Sequence, residues 1–218
     1  MLDGYILGSN IANVVLGLGS YTSDGKTLCF KYWSKIATAI VEHIKSNAKV
    51  NGSGCGVTGY TTMTTMPIIG MDYAMMADEI ASSICTNSDG RSICYKYWKK
   101  ITNEIVSHIN SNALINSGIA CASGGVTVST GSFVSGAMSG SSLGTNIANA
   151  VFDIYDGDGA SSEGKSLCRK YWIKIADEIV SHIESNGIAN AGISGVISFP
   201  SEHSSGGNGT LTGTGSIT

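Results

Sequence analysis

Three segments of this chain repeat one pattern, and that repetition limits the possible folds more than any other feature. Lys31-Tyr32-Trp33 runs on through Ile36, Ile40, Val41, His43 and Ile44 to Ser46-Asn47-Ala48. The same order returns from Lys96-Tyr97-Trp98 to Ser111-Asn112-Ala113, and again from Lys170-Tyr171-Trp172 to Ser185-Asn186-Gly187. All three tryptophans of the chain and three of its four histidines lie in this pattern. Self-similarity of this kind makes each copy one supersecondary unit that must bury its apolar face against its siblings.

Within each copy the apolar spacing predicts two helices. In the first copy Leu7, Ile11, Val14, Val15 and Leu18 form one stripe at intervals of three and four, the mark of a helix with one buried face. Gly17, Gly19 and the polar run Ser20 to Gly25 end it and offer N-caps for the next. A second helix is expected from about Asp24 to Asn47, with Cys29, Trp33, Ile36, Ala37, Ile40, Val41 and Ile44 on one face and Asn47 as a left-handed C-cap. The second copy offers Tyr73, Met76, Ala77, Ile80, Ala81 and Ile84, then Ser88 to Cys94 in match with Ser23 to Cys29, at an offset of 65 residues read from Ala12/Ala77 through Trp33/Trp98 to Asn47/Asn112, which implies two hairpins of equal length. The third opens on Leu143-Gly144-Thr145-Asn146-Ile147, and its long helix is expected from Ser162 or Glu163 to Asn186, after a longer interhelix loop.

Between the copies the composition shifts to Gly, Ser and Thr. Thr58 to Thr65, Val126 to Thr130 and Ile193 to Phe199 read as strands, and Pro67 as the break before the next helix. Residues 201–218 read as an exposed tail or as a strand that orders on a partner, so their removal is expected to spare folding. The organisation is therefore 1–50 hairpin, 51–70 arm, 71–114 hairpin, 115–142 arm, 143–188 hairpin and 189–218 arm. The expected fold is mainly α with extended or β arms: three tandem helical hairpins arranged with pseudo-threefold symmetry. A hairpin of about 40 residues buries too little surface to stand alone. The expected shared core is Trp33, Trp98, Trp172, Ile36, Ile101, Ile175, Ile40, Ile105, Ile179, Cys29, Cys94 and Cys168.

Charge enters the argument by exclusion. Charged residues make up 13% of the chain and the net charge is −3, which gives no broad basic surface for nucleic acid. The opening Met1-Leu2-Asp3-Gly4 has no basic signal region, and no apolar run reaches the roughly 18 residues of a membrane span. The expectation is a soluble protein made in a cytoplasm, without a membrane partner, whose six cysteines stay reduced.

The chemistry-bearing residues point away from catalysis. Cys29, Cys94 and Cys168 stand 14 residues before His43, His108 and His182, which invites a zinc reading. On one helix that interval spans about 21 Å, so a shared metal would need residues from different copies. The expected role is structural for these cysteines, and the histidines are expected at the edge of the stripe, met by solvent or a carbonyl. Cys55, Cys85 and Cys121 have no counterparts and are expected as free thiols. Asp153, Asp156, Asp158 and Glu163 suggest a calcium loop, but Ile154 and Lys165 fall where its first and twelfth ligands belong. No nucleophile elbow, phosphate loop, HExxH or CxxC occurs. No cofactor, metal or enzymatic activity is expected.

The repeated Lys-Tyr-Trp-x-Lys-Ile pattern, continued through Ile-Val-x-His-Ile to Ser-Asn and followed by a glycine-bounded extended segment, resembles a short helical module of tailed-bacteriophage structural proteins. The C-terminal Gly209-Thr210-Leu211-Thr212-Gly213-Thr214-Gly215 resembles the Val/Thr/Gly-rich ends of such proteins. The resemblance implies a virion component, in the tail or baseplate region, whose partners are other virion proteins or copies of itself. Its arms would add strands to neighbouring subunits. A capsid decoration or head–tail joining protein is the alternative within that class. A secreted repeat module binding a host surface is the alternative outside it.

Overall fold

The computed structural model describes residues 2–56, 61–122, 125–128, 131–133, 136–152, 161–190, 194–195 and 209–217. It is mainly helical. In chain order the elements are α1 Gly4–Leu16, α2 Ser23–Asn47, β1 Lys49–Gly56, β2 Thr61–Ile69, α3 Tyr73–Ile84, α4 Ser88–Asn112 and β3 Leu114–Ala122. There follow β4 Gly125–Val128, β5 Gly131–Phe133, α5 Gly140–Phe152, α6 Ser162–Asn186, β6 Ile188–Asn190, β7 Ser194–Gly195 and β8 Gly209–Ile217.

Local chemistry sets the helix ends. Asp3 and Asp72 cap α1 and α3 by accepting from two backbone N–H groups each. Thr22, Asn87 and Ser161 cap α2, α4 and α6 through the N–H of Gly25, Gly90 and Gly164. Each cap satisfies donors that the first helical turn leaves unpaired. Just before the short helices stand Leu2, Met71 and Met138, all buried, and at their fourth positions Leu7, Met76 and Leu143, also buried. That is the spacing of a hydrophobic staple. At the other end, Asn47 does not adopt the expected left-handed C-cap. The cap is Ala48, in extended conformation, and Asn47 instead turns its amide back to donate to the His43 carbonyl at 3.1 Å. The long helix therefore feeds straight into a strand, a path that a left-handed residue would have turned aside.

Each short helix packs on the long helix that follows it: α1 on α2, α3 on α4, α5 on α6. Contacts also join α2 to α3, α4 to α5, and α6 back to α1. Small residues permit the closest of these approaches. A Cβ on Gly8 would lie 2.5 Å from the Ser34 Cα, and one on Gly144 would lie 2.6 Å from the Trp172 carbonyl oxygen. The buried stripes place Asp3, Leu7 and Ile11 in correspondence with Asp72, Met76 and Ile80. Ala12 thus matches Ala81 rather than Ala77, and the interhelix connection of the second copy is shorter, so the constant offset holds for the long helices only.

The segments read as arms pair with one another. β1 pairs antiparallel with β2 and β8, β2 with β3, β3 with β5, β5 with β6, and β6 with β8, while β4 and β7 extend from β3. Pro67 lies inside β2, in register with Leu114, instead of breaking the segment. Where strands leave the long helices, residue sizes match across the junction. Ala48 follows into the register that puts Lys49 opposite Ser216, next to buried Ile217, and Gly187 abuts the Phe133 ring, where a Cβ would collide. Of the expected strands, residues 58–60, 129–130, 193 and 196–199 lie outside the described residues, as does the aspartate loop 153–160.

Candidate functional site

Residues of the N-terminal halves of α2, α4 and α6 surround an open-mouthed cavity of about 540 Å³. Trp33, Trp98 and Trp172 line it, with Tyr32, Tyr97, Tyr171, Ile36, Ile175, Cys94 and Cys168. Helical spacing explains the set: positions 33 and 36, 94, 97 and 98, and 168, 171, 172 and 175 share one face of their helices. On the same helices Ile36, Ile40, Ile101, Ile105, Ile175 and Ile179 are buried. Trp98 and Trp172 are buried, whereas Trp33 and the thiols Cys29 and Cys168 are half-buried. Ile93 lines the cavity as well; it and its counterparts Leu28 and Leu167, at matching positions of the three helices, are 61–71% exposed.

The polar atoms of this wall are few. The Tyr171 hydroxyl shares a 2.8 Å hydrogen bond with the Tyr21 hydroxyl, which links the loop after α1 to α6. Burial, then that hydrogen bond, pushes the Tyr171 pKa upward. Burial also raises the thiols of Cys29 and Cys168, making them poor nucleophiles at neutral pH. Cys94 is joined to Cys85 by a disulfide. This corrects the expectation of six reduced thiols, and it ties the C-cap of α3 to the first turns of α4. Ile84, Ile93 and Cys94 carry that link to the cavity wall. Among the described residues that line it, the cavity is walled by aromatic rings, isoleucines and cysteines. A second hollow on the α3–α4 face is lined by Tyr73, Lys96, Lys99, Lys100 and Asn103.

The histidines lie elsewhere, and their role was not foreseen. They are buried, not at the edge of the stripe. His43 Nε2 accepts the backbone N–H of Asp72 at 3.2 Å, His108 Nε2 that of Ser139 at 3.1 Å, and His182 Nε2 that of Asp3 at 3.1 Å. In each case the donor is the residue that begins the next short helix, or, for His182, the first. The same Asp3, Asp72 and Ser139 side chains cap their own helices. Accepting at Nε2 requires the neutral imidazole with its proton on Nδ1. His43 Nδ1 lies 2.9 Å from Glu79 Oε2. Sequence alone hides this arrangement because a histidine's partner here is a main-chain N–H, which leaves no residue signature.

Two expectations follow. Trp98→Ala should cost about 3–5 kcal/mol, read as a shift in urea midpoint, because the ring is buried in the common core and forms a wall of the cavity. Acidification should also weaken the fold. Burial lowers the pKa of His108 and of His182, the latter opposed in part by the Asp3 carboxylate. Their folded values lie below the unfolded 6.5, so the unfolded chain binds more protons as pH falls below that value and stability declines. Glu178, raised mainly by burial, acts in the opposite sense at lower pH, so the histidine effect is read between pH 7 and about 5.5. His108→Gln, whose amide oxygen can still accept from Ser139, should flatten the slope of unfolding free energy against pH. An unchanged slope would rule out this role.

Among the described residues, no group of three or more His, Cys, Asp or Glu converges as a metal site, and no helix is long and apolar enough to cross a membrane. No family model, curated protein or solved structure matches the chain.

Proposed function

We propose that the chain is a non-enzymatic structural block: three tandem helical hairpins set about a pseudo-threefold axis, serving as a component of a tailed-phage virion in the tail or baseplate region. The observation that carries the architectural half is the trio of histidine links. Each long helix reaches the N-cap of the following short helix, and the last reaches the first. Such reciprocity supports a closed ring in which one chain supplies what three copies of a shorter protein would supply. Ring closure spends the conformational freedom of every copy at once and leaves a rigid body, which suits a load-bearing part.

The virion half is supported by the resemblance of the repeated motif and of the Gly/Thr-rich C-terminal segment to phage structural modules. The strand pairings within the chain shift how it would meet neighbours. β1 pairs with β8 along Lys49–Gly56 but with β2 only at Lys49 and Val50, and β8 pairs with β6 only at Ser216 and Ile217, so strand addition to a neighbour would use the outer parts of β1 and β8 and the β4–β7 extension. Quantitative mass spectrometry and antibody labelling of purified particles test the reading. Tens of copies localised to the tail are expected; hundreds spread over the head would make it a decoration, and absence from particles would end the virion reading.

A further inference from the structure

We propose that the cavity between α2, α4 and α6 takes the alkyl chain of a single anionic amphiphile, for which a medium-chain fatty acid is the simplest form. The volume, about 540 Å³, falls within the range of pockets that hold small ligands. Its walls are aromatic rings and isoleucines, so the buried part of the occupant is apolar. Ile93, which lines the cavity and is 71% exposed, extends that apolar surface outward and gives an entering chain something to lie against.

Charge decides which head group the occupant carries. Residues 24–35, 89–100 and 163–174, the helix segments that build the cavity, hold eleven of the thirteen Lys and Arg of the chain and three acids. Adding Asp78 and the aspartates at 153, 156 and 158, which precede α6 in sequence, still leaves cations in excess. The remainder of the chain is strongly acidic. A cleft of low-dielectric walls inside a field of one sign concentrates ligands of the other sign, here anions. The same field argues against a second copy docking mouth to mouth, since two cationic ends and six helix N-termini would face each other. The inference concerns the isolated chain and stands whether or not the chain belongs to a virion.

All three tryptophans of the chain line the cavity, so their fluorescence reports occupancy directly. The purified chain would be titrated with dodecanoate below its micelle concentration. Dodecyltrimethylammonium and dodecyl maltoside supply the same chain with a positive or a neutral head. Expected is saturation at one dodecanoate per chain with a blue-shifted spectrum, binding of the cationic probe weaker by about tenfold or more, and a similar loss of dodecanoate binding in Ile93→Glu. Should Ile93→Glu melt differently from the parent chain, the exposed Lys31→Glu, Lys96→Glu, Lys170→Glu combination replaces it, with the same loss expected. Failure of dodecanoate to saturate, or equal binding of the cationic probe, would overturn the proposal. So would cosedimentation with phosphatidylglycerol vesicles that dodecanoate does not compete away, since that would indicate a membrane-facing surface instead of a pocket.

Discussion

A chain ending before residue 209 is expected to lose cooperative folding, or to melt far below the full-length protein. The reason is β8. It pairs with β1 along the whole of Lys49–Gly56, from Ser216 to Gly209, and with β6 on its other side. Ile217 at its end is fully buried in the common core. Burial of that side chain alone is worth about 1.5–3 kcal/mol. The ladder bonds add roughly 1 kcal/mol net each where they are sheltered. A loss on the order of 5 kcal/mol approaches the entire stability of many domains. Ile217→Ala isolates one part of this, with an expected cost of about 2–5 kcal/mol. Circular dichroism melts of both variants beside the parent chain provide the measurement. A truncated chain that melts like the parent would return residues 209–217 to the status of a free arm and detach the strands from the helical core.

That expectation reverses what the sequence suggests, and the reversal shows where sequence reading fails. The long helices were legible because a 25-residue stripe averages over many turns: Ser23–Asn47 and Ser162–Asn186 match their expected spans within a residue or so, and Ser88–Asn112 lies at the expected offset from the first. The short helices were harder. Four turns or fewer allow a stripe to slide by one turn and still look apolar, which is how Ala12 came to be matched with Ala77 in place of Ala81. Strands rich in Gly, Ser and Thr carry no alternation, so their pairing depends on where the helices deliver their ends. Ile68, Phe133 and Ile217, each buried beside a helix–strand junction, were the available signal. Histidine capping and the Cys85–Cys94 link were invisible for a related reason: both join positions that only the packed helices bring together.

Gly144→Ala should destabilise, against the usual sign of that substitution. At an exposed helix position, replacing glycine with alanine stabilises by about 0.5–1 kcal/mol, because the unfolded chain loses freedom. At residue 144 the new methyl group would lie 2.5 Å from the Ile173 nitrogen and 2.6 Å from the Trp172 carbonyl oxygen. Both are main-chain atoms of α6 and cannot rotate aside. α5 must instead move off α6, and overpacking of this kind costs about 1–3 kcal/mol or more, which outweighs the entropic gain. Gly8→Ala meets the Ser34 nitrogen at 2.8 Å and should behave alike. Gly17 supplies the contrast. Its φ of −69° suits any residue, and its added Cβ would meet neighbours no closer than 3.5 Å, so Gly17→Ala should be neutral or slightly stabilising. Ala77, fully buried on α3, occupies the position that corresponds to Gly8 and Gly144, so α3 and α4 already accommodate a methyl group there. The opposite signs matter more than the magnitudes, because propensity alone cannot produce them. If urea midpoints rose in all three variants, α1 and α5 would not lie against α2 and α6 as closely as described, and the wall that Trp172 gives to the cavity would have to be redrawn.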